Sequence, residues 1–144
     1  MSSEEPAPDL PNDSGVGVAG LKVLLAEDTP ITQAMMRLRL SKMGCVVSVV
    51  ENGREAVAAA KTQHFDCILM DYHMPILDGV EATKEIRAWE EAAQKKPRVY
   101  ITAFTTQQAN ERSLLMASGV DDILVKPMAV PALIRILQRA AARR

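Results

Sequence analysis

Apolar residues in this chain gather into short, β-branched runs separated by longer stretches with helical spacing. The runs are KVLLA at 22–26, VVSVV at 46–50, DCILM at 66–70, RVYIT at 98–102 and DILV at 122–125. Such runs, too apolar to have one wet face, read as strands buried on both sides. Strands alternating with helical stretches predict an α/β fold, a doubly wound five-stranded parallel sheet flanked by five helices.

The helix boundaries are marked by local chemistry. Thr29-Pro30 reads as a cap followed by proline in the first turn, with Ile31, Met35 and Leu38 on the inner side and Gly44 ending the helix. The second helix is expected from Asn52-Gly53, with Ala56, Val57 and Ala60 facing the sheet. The third follows Asp78-Gly79 and carries Val80, Thr83, Ile86 and Trp89 inward. A fourth is expected over about 106–118, stopping at Gly119, and the last from Val130-Pro131 with Leu133, Ile134, Leu137 and Ala141 toward the core. Asp78 alone reads as a loop and helix-start residue.

Before residue 21 the pattern is missing. Residues 1–20 hold three of the eight prolines, four acidic groups and no Lys or Arg, so they read as a flexible acidic tail or linker remnant, with the domain at 21–144. The remaining residues carry 17 basic against 14 acidic groups. That excess is small, aromatic content is 3%, and no basic stripe appears, which excludes a nucleic-acid footprint. No apolar stretch is long enough to span a bilayer and no signal-peptide pattern opens the chain, so a cytoplasmic location without membrane contact is expected. Cys45 and Cys67 lie in apolar stretches without metal or redox spacing, and read as buried free thiols.

In an open parallel sheet, functional groups collect at the carboxyl ends of the strands. This chain places Glu27 and Asp28 after the first run, Asp71 after the third, Thr102 at the fourth, and Lys126-Pro127 after the fifth. Converging carboxylates repel unless a cation shares the space. A hard divalent ion is implied, and Mg²⁺ suits oxygen ligands. Asp28 and Asp71 are the expected direct ligands, Glu27 binding directly or through water and the backbone carbonyl of His73 completing the set. With a metal beside it, Asp71 can attack phosphorus and form an acyl phosphate. Lys126 would pair with the phosphoryl oxygens and the Thr102 hydroxyl would donate to another.

These residues in this order, the acidic pair at 27–28, MDYHMPILDG, TA at 102–103 and KP at 126–127, resemble the receiver domain of two-component response regulators. The successive separations, 43 residues from Asp28 to Asp71, 31 from Asp71 to Thr102 and 24 from Thr102 to Lys126, are similar to the family's. Segments such as AEDTPITQ and GVDDILVKP look most like receivers of hybrid histidine kinases.

The resemblance implies a flavodoxin-like fold with strand order 2-1-3-4-5, phosphotransfer from phosphohistidine to Asp71, a cis Lys126-Pro127 peptide, and Thr102 moving toward the phosphoryl group. A histidine kinase or a histidine phosphotransfer protein would be the partner. Helix 4, strand 5 and helix 5 would form the readout surface, and a homodimer through them stays open, as does a free-standing protein against a receiver from a hybrid kinase.

One position departs from the family. Where an aromatic switch residue is common, three before the lysine, this chain has Ile123. His73 and Phe104 are expected to flank the site, with the bulk of Phe104 restricting water. An interaction module that signals without phosphorylation is the alternative reading. A haloacid-dehalogenase-like phosphatase needs an acidic residue where His73 stands, and a nucleotide binder needs a glycine-rich loop after the first strand.

Overall fold

The computed structural model describes residues 17–106 and 112–143. Five strands, β1 (Lys22–Ala26), β2 (Val46–Val50), β3 (Cys67–Asp71), β4 (Tyr100–Thr106) and β5 (Asp122–Lys126), form one parallel sheet in the order β2-β1-β3-β4-β5. Helices α1 (Pro30–Lys42), α2 (Gly53–Thr62), α3 (Gly79–Ala93), α4 (Arg112–Ser118) and α5 (Val130–Ala142) connect and cover them. The tail expected at 1–20 and the start of the fourth helix fall largely outside the described residues.

Strand alternation divides the core in two. Val23, Leu25, Cys67, Leu69, Phe104 and Leu124 point to one face and pack against Met36 and Leu40 of α1 and Leu133, Ile136 and Leu137 of α5. Leu24, Ala26, Ile68, Met70, Ile101 and Ala103 point to the other, against α2, α3 and Leu115 of α4. Each fully buried Leu or Ile contributes roughly 1.5–3 kcal/mol from removal of apolar surface from water. Both cysteines are buried and neither forms a disulfide. Among the described residues, no helix is long and apolar enough to cross a membrane.

Helix starts are fixed locally. Asn52 accepts from the Glu55 amide at 2.8 Å, capping α2, while the Glu55 side chain accepts from the Glu51 amide just before the cap. Asp78 caps α3 by accepting from the Glu81 amide at 2.9 Å. Thr29 makes no capping bond with its side chain; its amide donates to Glu27 Oε2 instead.

Two expectations fail. Ile31, Met35 and Leu38 do not line the inner side of α1; they are 73%, 56% and 60% exposed, and Met36 and Leu40 are buried in their place. The helix carries two apolar stripes, and periodicity defines stripes without saying which one the sheet selects. The fourth strand does not run over 98–102; it begins at Tyr100 and continues to Thr106, the position expected to begin the next helix. Six of its seven residues are buried, because covering helices lie on both faces along its length.

Candidate metal and phosphoryl site

The carboxyl edge of the sheet gathers side chains from three strand ends. Glu27 follows β1, its amide bonded to the Val50 carbonyl at 3.1 Å, so it continues the ladder and is held as rigidly as a strand residue. It is fully buried, and Asp28 beside it is exposed. Asp71 closes β3 and is 2% exposed. Lys126 closes β5 and extends its ammonium to within 3.0 Å of Asp71 Oδ1 and 3.5 Å of Glu27 Oε1.

The loop after β3 is folded tightly to expose this edge. The Tyr72 amide donates to the Phe104 carbonyl, and the Gly79 amide donates back to the Tyr72 carbonyl at 3.2 Å. A Cβ on Gly79 would stand 2.3 Å from the Asp71 carbonyl oxygen, so no other residue fits where α3 begins. In the same loop Ile76 adopts φ 72°, a left-handed conformation costly for a β-branched residue, and its side chain is 77% exposed.

Burial pushes the Asp71 carboxyl above the usual carboxylate range and the Glu27 charge adds to this, while the hydrogen bond and charge of Lys126 and the amide of His73 oppose it. One ammonium against three carboxylates leaves the cluster under-neutralised. Ligand oxygens of Glu27, Asp28 and Asp71 lie within 4.8 Å of one another, and buried Glu27 Oε1 accepts no hydrogen bond. An all-oxygen set with an unsatisfied buried acceptor suits a small hard cation, and the cluster is compatible with Mg²⁺.

The structure thus brings together Glu27, Asp28, Asp71 and Lys126, and the Lys126-Pro127 peptide is cis. The His73 amide donates to Asp71 Oδ1 at 3.3 Å, and its exposed imidazole stacks edge-on against Tyr72. Ile123 pairs with Ala103 and packs on the α2–α3 side of the sheet.

Thr102 is not at this edge. Register places it opposite Leu69, two residues below the Asp71 level, with a fully buried hydroxyl that has no hydrogen-bonding oxygen or nitrogen and lies against the Cys67 thiol. Burial pushes that thiol far up, so it stays protonated. The residue opposite Asp71 is Phe104, and the hydroxyls past that level belong to buried Thr105 and exposed Thr106, the latter paired with Lys126. The segment ITAFTT contains three threonines, and the run expected at 98–102 ends on the first, which also opens the TA pair. Only the pairing with β3 and β5 finds the strand end. Phe104 does border the site, as a buried floor beneath Lys126 at 2% exposure.

The response regulator receiver domain family matches residues 23–138. The sensor protein GacS of Pseudomonas syringae pv. syringae is 39% identical over 117 residues, covering 81% of this chain and 13% of that protein. Two-component response regulator 24 of Arabidopsis thaliana is 32% identical over 142 residues, covering 96% of this chain and 95% of that protein. This chain therefore spans about an eighth of the first relative and nearly all of the second.

Among solved structures, the receiver domain of sensor histidine kinase PA1611 from Pseudomonas aeruginosa PAO1, with a magnesium ion coordinated in its active-site cleft, matches with TM-score 0.77 and 40% identity, covering 86% of this chain and 99% of that one. The co-crystal structure of the Saccharomyces cerevisiae histidine phosphotransfer protein Ypd1 and the receiver domain of its downstream response regulator Ssk1 matches with TM-score 0.79 and 30% identity, covering 86% and 90%. Family match, sheet order and acidic edge agree: this chain belongs to the response regulator receiver domains of two-component and phosphorelay signalling.

Proposed function

We propose that Asp71 is the phosphoacceptor, taking a phosphoryl group from a phosphohistidine of a histidine kinase or histidine phosphotransfer protein. A carboxylate oxygen of Asp71 attacks phosphorus, the P–N bond breaks, and the imidazole leaves with the electron pair. The observation that carries this reading is a 2% exposed aspartate at a strand end, held 3.0 Å from a lysine ammonium and beside two further carboxylates. Glu27, Asp28, Asp71 and the His73 carbonyl would hold Mg²⁺, which supplies charge neutralisation for the incoming phosphoryl oxygens. Lys126 neutralises the same group from the β5 side, and Thr105, in place of Thr102, supplies the hydroxyl.

The exposed stripe of Ile31, Met35 and Leu38 begins one turn from Asp28, next to this edge. A helical phosphotransfer protein would pack its apolar face there while presenting its histidine to Asp71. Support comes from the proximity of the stripe to the acceptor, and from the yeast relative, whose receiver was crystallised with such a protein. The likeness to GacS favours a receiver that works within a hybrid kinase relay. Ile123 has no polar tip, so readout through burial of a ring at that position does not operate here.

The test is intact mass after incubation with acetyl phosphate, with and without Mg²⁺, for the wild type and Asp71→Asn. A single Mg²⁺-dependent phosphoryl adduct that is absent from the variant is the expected result. Its absence, both with acetyl phosphate and with a phosphohistidine donor, would overturn the reading.

A further inference from the structure

We infer that Phe104 is a positioning residue for this chemistry: the face of its ring seats the Lys126 ammonium at the height of the phosphoacceptor. The Lys126 Nζ stands 4.8 Å from the ring centroid while donating to Asp71 Oδ1 at 3.0 Å. Register puts the two side chains on one face of adjacent strands, since Phe104 pairs with Asp71 in the β3–β4 ladder and Lys126 pairs with Thr106 two residues further along β4. Lysine ammonium is compact, strongly hydrated and carried on a flexible stem. Here Asp71 and Glu27 hold it from one side and the aromatic face closes the core side, where an aliphatic residue would give no electrostatic return for lost water. The Lys126 side chain keeps 28% of its surface exposed, which leaves room for a phosphoryl oxygen beside these contacts.

Phe104 is itself fixed. It is 2% exposed and embedded in the core shared by α1 and α5, so the ring cannot swing away without breaking that packing. A lysine that is placed before the phosphoryl group arrives needs no rearrangement during transfer. The alternative is that Phe104 only fills space, and shape-conserving chemistry separates the two.

This inference rests on the phosphoacceptor reading for its consequence and not for its geometry, and the experiment keeps the two apart. Phenylalanine and its 4-fluoro, 3,5-difluoro and 3,4,5-trifluoro forms are installed at position 104; fluorine drains the ring face with little change in shape. The rate of phosphorylation by acetyl phosphate at saturating Mg²⁺ is expected to fall stepwise, by about three- to tenfold across the series, with unchanged melting temperature. In parallel, the Lys126 Hε proton resonances, assigned through Lys126→Arg, are expected upfield of other lysines because of the ring current, and to lose that displacement in Phe104→Leu. A flat or rising rate series overturns the positioning role. Lys126 resonances without an upfield displacement overturn the seat itself. If the displacement is present and the wild type takes no phosphoryl group from any donor, the seat stands and the phosphoacceptor reading fails.

Discussion

Asp71 stands directly opposite Phe104 in the β3–β4 ladder, which makes Thr105 the first residue beyond the acceptor and leaves Thr102 buried two positions below it. Thr105→Ala is expected to slow phosphorylation by acetyl phosphate by about tenfold or more, the worth of one hydrogen bond to a charged group. Thr102→Val is expected to leave that rate within about twofold and to melt no lower, because the hydroxyl it removes has no oxygen or nitrogen partner. A slow Thr102→Val and a normal Thr105→Ala would reverse the assignment.

The raised Asp71 carboxyl makes a linked prediction about stability. Its folded-state pKa lies above the unfolded value, so the folded chain binds more protons in the window between them and stability falls as pH rises through it. The penalty is complete once pH exceeds the folded-state value. Asp71→Asn, which carries no charge, is expected to melt higher than wild type above that window without metal, and the gain should shrink as pH falls through the window and be gone once pH is below the ordinary carboxylate value. Added Mg²⁺ should raise the wild-type melting temperature more than that of the variant, as followed by calorimetry.

Exposed Met35 and Leu38 lie on the same stripe of α1, outside the core. Leu38→Glu is expected to cut the rate of exchange with a phosphohistidine protein at least about tenfold, in the manner of a lost interface anchor. Labelling by acetyl phosphate, which needs no docking, should be unchanged. Equal loss with both donors would show damage to the site and not to a docking surface.

Ile76, at φ 72° and 77% exposed, holds a strained backbone without packing in return. Ile76→Gly is expected to stabilise the domain by about 1 kcal/mol in urea unfolding, since glycine adopts this conformation freely and a β-branched residue does not. An unchanged or lower midpoint would mean that the loop does not carry this strain in solution.

Arg87 ties three elements together at the opposite end of the sheet from the acidic edge. It donates to the Gly119 and Val99 carbonyls, to Glu90 at 2.6 Å and to Asp121 at 2.7 Å, and the Glu90 side chain is only 2% exposed. Arg87→Met is expected to cost about 3 kcal/mol, because it leaves Glu90 buried without its closest cation. Adding Glu90→Gln should recover part of that loss, measured as a double-mutant cycle.

The sequence by itself determined the fold class, the order of ten elements and four of the residues at the acidic edge. Its apolar runs alternate with helical periodicity, and chain direction in a parallel sheet sends every strand end to one side. The reach of the fourth strand, the inner face of α1 and the floor beneath Lys126 were decided by tertiary structure. Periodicity repeats along an element without marking where it stops or which stripe a neighbour covers. Strand register and helix docking depend on contacts between residues far apart in the chain: Asp71 with Phe104, Lys126 with Thr106, and Met36 and Leu40 with the sheet.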